Sequence, residues 1–173
     1  MEFFDVIRAR RSTRAFTAQP IARKQLQAIL DAANRAPSAG NLQAYEIYAV
    51  TNRATLDALV RASLNQEFIA EAPIALVFCA HPARSMKRYC ERGTSLYCVQ
   101  DATIACAYAQ LAATALGLAS VWVGAFDDDA VRAAIGVGDD LRPIAILPIG
   151  YAGEQPEASS RRALAELVHE VSG

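Results

Sequence analysis

Charge is in short supply in this sequence. Of its 173 residues only 20% are Asp, Glu, Lys or Arg, against a usual share of about 25%. The 17 basic and 18 acidic residues nearly cancel to a net charge of −1. That balance excludes the broad basic footprint that nucleic acid or an anionic membrane surface would need. Histidine is reduced to His81 and His169, and Cys79, Cys90, Cys98 and Cys106 form no Cys-x-x-Cys pair. Such spacing argues against a zinc centre. Met1-Glu2-Phe3-Phe4-Asp5 is too acidic and too short in apolar run for a secretory leader, so a disulfide framework is not expected either. A long uninterrupted apolar run is also missing. The most apolar stretch, Leu96 to Leu118, is broken by Gln100, Asp101 and Gln110, which a lipid-facing span would not tolerate cheaply. There is no Gly-x-Gly-x-x-Gly, no Walker loop and no Gly-x-Ser-x-Gly elbow. Gly136-Val137-Gly138 precedes two aspartates that would repel a pyrophosphate, and reads as a turn. The expectation is a soluble, reduced, cytoplasmic protein without metal, nucleic acid or membrane.

Apolar residues, at 53%, are plentiful enough to offset the entropy of ordering. At roughly 150 residues per domain, the length fits one domain over 1–173. The charge deficit also fits a surface partly covered by a partner subunit. Apolar periodicity predicts helices over Glu2–Arg11, Ala22–Asn34, Ala54–Ala62 and Ser95–Leu116. The last carries small residues at Ala102, Ala105, Ala109 and Ala112, which permit close packing. Strand-length apolar runs lie at Tyr45–Thr51, Ile74–Ala80, Ser120–Gly124 and Ile144–Tyr151. Asp127–Ile135 has acids in its first turn and Gly136 just past its end, the pattern of a short helix. Helices first, with strands scattered among helices, suggest an α+β fold.

Two basic clusters bear on chemistry. Arg10-Arg11-Ser12-Thr13-Arg14 follows the first helix, where cations offset the helix dipole or collect an anion. Arg161-Arg162 follows Ser159-Ser160 at the predicted start of a helix over Ala163–Val171. Arginines at the positive end of a helix dipole are locally unfavourable unless an anion sits there. A solvated pair is the plain alternative. The loop Pro37-Ser38-Ala39-Gly40-Asn41-Leu42-Gln43 offers donors and acceptors suited to a heteroaromatic edge, or simply turn chemistry.

Taken in order, these segments resemble the FMN-dependent nitroreductase family, particularly its short members. The matching pieces are Arg10–Phe16, Ala36–Gln43, Ala72-Pro73, Leu96–Asp101, Val121–Asp127 and Leu147–Tyr151. The resemblance implies a central, mostly antiparallel sheet flanked by helices, in an intertwined homodimer with FMN at the interface. It places Arg10, Ser12 and Arg14 at the ribityl phosphate, with Arg11 lending charge or backbone, and Arg161 and Arg162 completing the pocket. Pro37, Ser38, Ala39 and Asn41 would reach the flavin from the other subunit, with Gln43 nearby. Asn65 and Gln66 match the position at the pyrimidine edge. Gly124 or Ala125 would point a backbone N–H at flavin N5, and Pro148, Ile149 and Gly150 would line the ring.

By the same resemblance NAD(P)H reduces the flavin at N5, and a nitroaromatic, quinone or similar small acceptor reoxidises it in ping-pong fashion. No side-chain acid or base is assigned. A non-catalytic FMN-binding protein, or a related flavin enzyme performing reductive dehalogenation or oxygen chemistry, would use the same contacts. The sequence departs from the family in two places. Ala44-Tyr45 stands where the family usually has Pro-Trp, and His81–Gly93 is short where larger members insert helices over the flavin. A short cover implies an open or differently shaped pocket, so no substrate is carried over.

Overall fold

The structure, a computed structural model, describes residues 1–171. Its centre is strand β2 (Ile74–Ala80), every residue of which is buried. A strand covered on both faces needs no polar alternation, which is why this run is continuously apolar. Pleating sends Leu76, Phe78 and Ala80 into one core and Ala75, Val77 and Cys79 into another. Strands β1 (Tyr45–Val50) and β4 (Arg142–Gly150) pair with β2 on either side. Tyr45 lies opposite Ala80 and Ile74 opposite Ile149, with a register shift between Phe78 and Cys79. The two-residue strand β3 (Ala119–Ser120) closes the sheet in the order β1-β2-β4-β3, and all pairs are antiparallel. The α+β sheet flanked by helices is the architecture expected from the sequence.

On one face lie α2 (Arg23–Asn34) and the long α6 (Cys98–Ala115), packed through Ile29, Ala33, Ala102, Ala105 and Ala109, all without exposed surface. Small side chains let α6 sit close to the sheet, which suits a helix apolar on nearly every side. The other face carries α3 (Arg53–Ala62), α4 (Phe68–Glu71) and α7 (Asp128–Ile135), anchored by Leu56, Leu59, Ile69 and Val131. The acid run before α7 is a helix start. The Asp127 carboxylate accepts the Ala130 N–H at 2.8 Å, and Gly136 ends the helix in the left-handed conformation at φ 72°.

Three expectations are corrected, and one stretch gains an element. The first helix, α1 (Phe3–Ala9), is shorter than predicted and buries Val6 alone, leaving Phe3, Phe4 and Ile7 exposed. The strand Ser120–Gly124 is reduced to β3 plus a single bridge from Val123 to Ile146, because the chain leaves the edge of β4 between them. The short stretch His81–Gly93, given no secondary structure from the sequence, holds a helix, α5 (Pro82–Arg92), broken at Cys90 where the backbone turns to φ 48°, ψ −137°. Last, Ala163–Val171 is not a helix. It holds one 3-10 turn at Leu164–Glu166, and every residue in it is exposed. A short segment with nothing to pack its apolar face against cannot offset the cost of helix nucleation.

Candidate active site

The first basic cluster begins where α1 stops. The Arg10 N–H still reaches the Val6 carbonyl at 3.0 Å, but its ψ of 128° turns the chain out of the helix. The segment then runs alongside the chain that follows β4. Thr13 N–H donates to the Ser120 carbonyl (3.1 Å), Thr17 N–H to Tyr151 (2.9 Å), and Gly153 N–H to Ala15 (2.8 Å). The Arg14 N–H donates to the Glu154 carboxylate at 2.6 Å. These bonds draw the C-terminal tail across the end of α1 and enclose a cavity of about 420 Å³. Arg8, Arg10, Arg11, Ser12, Arg14, Glu157, Ser159 and Arg161 are among its lining residues.

Five arginines and one glutamate thus line the same cavity. Arg8 is paired with Asp5 at 2.6 Å, but among the described residues Arg10, Arg11, Arg14 and Arg161 have no carboxylate ion pair. Arg8 is the basic residue in the last turn of α1. Arg11 Nη1 donates to the Arg8 and Arg10 carbonyls at the C-terminal end of α1 and so offsets its dipole, whereas among the described residues the Arg10, Arg14 and Arg161 side chains donate to none of its carbonyls. The two clusters do converge, though not for the reason the sequence suggested: with no helix at Ala163, Arg161 reaches the cavity from extended chain. Arg162 does not line it and turns to Glu166, with Nε 3.5 Å from the carboxylate and Nη2 donating to the backbone carbonyl at 2.9 Å.

The loop Pro37–Gln43, between α2 and β1, sits at the N-terminal end of α6, away from this cavity, and lines separate cavities with Tyr97 and Thr103 on one side and Asp31 and Arg35 on the other. It is held from beneath by Asp101 of α6, which is 2% exposed. One carboxylate oxygen accepts the Ala39 N–H at 2.9 Å and the other the Ala44 N–H at 3.2 Å. The Ser38 hydroxyl accepts the Gln43 N–H at 3.0 Å. Between these anchors Gly40, Asn41 and Gln43 all have positive φ (57°, 56° and 47°). Such strain in non-glycine residues persists only where the surroundings enforce it, and it concentrates at functional sites. At Gly40 the φ of 57° favours glycine, and a Cβ would also displace the tips of the Tyr89 and Arg88 side chains, 2.6 and 2.8 Å away.

Asn65 and Gln66 follow α3 in a second strained turn, where Leu64 and Asn65 have φ of 55° and 56°. The Gln66 amide donates to the Ser63 carbonyl (3.0 Å) and to the Ala125 carbonyl (3.3 Å). The Asp127 N–H reaches the Ala62 carbonyl at 2.9 Å. Asn65, Gln66, Gly124 and Ala125 are therefore brought together, with Asn65, Gly124 and Ala125 exposed. Pro148, Ile149 and Gly150 are buried, and Ile149 has no exposed surface. They stand behind this region as core: a Cβ on Gly150 would meet Pro73 at 2.8 Å and Phe16 at 3.0 Å.

Comparison with known proteins decides the family. The model of the Nitroreductase family matches residues 7–66 and 57–151. The chain belongs to the nitroreductase family. An NADH dehydrogenase of Thermus thermophilus is 31% identical over 186 residues, covering 92% of this chain and 91% of that protein. An oxygen-insensitive NADPH nitroreductase of Salmonella typhimurium is 29% identical over 167 residues, covering 92% of this chain and 70% of that protein. The solved structure of the NADPH:FMN oxidoreductase of Vibrio harveyi, complexed with NAD+, superposes with a TM-score of 0.89 at 28% identity. It covers 97% of this chain and 76% of that one. The chain is accordingly a nitroreductase-family oxidoreductase.

Two parts of this nitroreductase fold were not singled out for the site from the sequence. One is Asp101, whose signal was an acid inside an otherwise apolar helix. The other is α5, whose Arg84 donates twice to the Leu42 carbonyl (3.3 and 3.2 Å) and so ties that helix to the loop. The buried thiols offer no nucleophile. Burial pushes Cys79 up to about 12 and also raises Cys98 and Cys106, keeping all three protonated. Among the described residues, no group of three or more His, Cys, Asp and Glu could hold a metal ion, and no helix is long and apolar enough to cross a membrane.

Proposed function

We propose that this nitroreductase-family chain is an FMN-dependent NAD(P)H oxidoreductase that reduces nitroaromatic, quinone or similar small acceptors, and that it works as a homodimer. The observation that carries this reading is the cavity at the end of α1, where Arg10, Arg11, Arg14 and Arg161 have no carboxylate partner. Guanidinium groups with unspent donors beside a serine hydroxyl suit a phosphate dianion. Arg10, Ser12, Arg14 and Arg161 would hold the FMN phosphate, with Arg11 adding charge. Asn65 and Gln66 would meet the pyrimidine edge, and the exposed backbone of Gly124 and Ala125 offers N–H donors beside them. When bound, FMN supplies two-electron transfer between the nicotinamide and the acceptor. The chain's own residues bind and orient, and none is assigned as acid or base. The NADPH and FMN named for the Salmonella and Vibrio relatives support the donor and the cofactor.

Homodimerisation is supported by apolar surface that the chain itself leaves uncovered. Phe3, Phe4 and Ile7 on α1, and Leu164, Leu167 and Val168 on the tail, are 48–77% exposed. Apolar side chains clustered in this way mark a surface that another chain covers. A second copy would also bring Ser38, Ala39, Asn41 and Gln43 to the cofactor. Their loop lies in the opposite layer of one chain from Asn65 and Gly124. Titration of FMN and riboflavin into apo-protein tests the reading. Arg10→Ala and Arg161→Ala are each expected to weaken FMN about 10- to 150-fold, from one lost charged hydrogen bond. Riboflavin, which lacks the phosphate, is expected to be unaffected. Equal losses for both flavins would assign these arginines to the fold instead.

A further inference from the structure

The phosphate cavity leaves a second group of cations unused. Helix α5 carries Arg84, Lys87, Arg88 and Arg92, with Glu91 as its one acid. Among the described residues none of the four cations is in an ion pair. Of the nearby carboxylates Asp101 is committed to the Ala39 and Ala44 amides and Glu46 to His81 at 3.0 Å, which leaves Glu91 as the one acid on the helix against its four cations. The arginines are nevertheless held in place. Arg84 donates to the Leu42 carbonyl and Arg88 to the Gly40 carbonyl (3.4 Å). Arg88 also lies over the Tyr89 ring and Arg92 over the Tyr97 ring, each 5.5 Å from the centroid. Arg92 Nε donates to the Tyr97 hydroxyl at 3.0 Å, and the two rings meet edge to face at 5.0 Å. Carbonyl and ring contacts orient a guanidinium without neutralising it, and each leaves most of its five N–H donors free.

We propose that Arg84, Arg88 and Arg92 form an anion subsite for a phosphate or carboxylate carried by the molecule that exchanges electrons at the site. This rests on the oxidoreductase reading, which makes the Gly40–Leu42 loop the cofactor's neighbour. Tyr97 extends the subsite into the cavity of about 510 Å³ that it shares with Pro37, Ser38 and Ala39. A phosphate monoester carries a charge of about −1.5 to −2 at neutral pH, and NADPH differs from NADH by one such group. A carboxylate on the acceptor is the other source of the same chemistry.

The proteins compared are the unaltered chain, Arg88→Gln/Arg92→Gln, Arg88→Lys and the remote control Lys24→Gln. The first readout is calorimetric binding of adenosine 2′,5′-bisphosphate against 5′-AMP, which needs neither flavin nor turnover. The second is KM for NADPH against NADH, and for 4-nitrobenzoate against the neutral 4-nitrobenzamide. The expected result is that the unaltered chain prefers the bisphosphate and that the double variant loses this preference. Its KM for NADPH then rises about tenfold while that for NADH stays within about twofold. Arg88→Lys retains part of the preference and Lys24→Gln all of it. A rise confined to 4-nitrobenzoate also supports the subsite and assigns it to the acceptor. Equal changes for charged and neutral partners, or none at all, overturn it. A preference for the bisphosphate in a chain that neither nicotinamide reduces would sink the oxidoreductase reading and leave the subsite standing.

Discussion

The loop Pro37–Gln43 and the arginine cavity are built in opposite ways. The loop is anchored on a carboxylate 2% exposed and strained into positive φ at three positions within four residues. The cavity is rimmed by Arg14 and Arg161, both exposed, and by a tail that buries none of its residues from Gly153 to Val171. Directional hydrogen bonds to a ring edge weaken steeply when misaligned, so the loop needs a rigid support. Attraction between several guanidinium groups and a dianion falls off slowly with distance, so an open rim suffices. Removing the support should therefore cost stability in the first region and affinity in the second.

The largest effect is expected at Asp101. Asp101→Ala strands two backbone N–H groups and removes two charge-assisted bonds, a loss of about 3 kcal/mol in urea unfolding. Asp101→Asn, which keeps one acceptor oxygen, should lose about half of that. Arg10→Ala, by contrast, should change stability by less than about 0.5 kcal/mol. If the two substitutions proved equally destabilising, the contrast between the regions would be gone.

Gly40→Ala sharpens the picture of the loop. The φ of 57° and the 2.6 Å approach to the Tyr89 hydroxyl together should cost about 1–2 kcal/mol, again read in urea. An unchanged midpoint would mean that the loop is not held as tightly as its bonds indicate.

Salt separates the regions in the other direction. Raising ionic strength from about 0.05 to 0.5 M should weaken FMN several-fold, because the exposed cavity is screened, and leave riboflavin nearly unchanged. Parallel weakening of both flavins would place the charge dependence elsewhere. The smallest effect is expected at Arg162. Because Arg162 is engaged with Glu166 outside the cavity, Arg162→Ala should alter FMN affinity less than about threefold in the titration where Arg161→Ala loses tenfold or more.

Much of the fold was legible in residue order. The apolar run Ile74–Ala80 announced a strand, and Asp127 with Gly136 bracketed α7, because burial and capping act over a few neighbouring residues. The C-terminal segment shows where such reasoning stops. Leu164, Leu167 and Val168 have helical spacing, but a helix that short needs a surface to bury them, and one copy of this chain supplies none. Both basic clusters were visible as chemistry, and so were the polar residues of the loop.

Only the tertiary structure decided which of these residues meet. Arg161 joins Arg10 and Arg14 across some 150 positions of sequence through backbone bonds at Thr13, Thr17 and Gly153, and Arg162 beside it does not. Asp101 reads as an interruption in an apolar helix until the fold sets it beneath Ala39 and Ala44. Residue type determines which interactions a side chain can make, and local pattern determines helix and strand. Which distant partner completes a buried carboxylate or leaves a guanidinium unpaired depends on how the layers pack. No stretch of this sequence records that by itself.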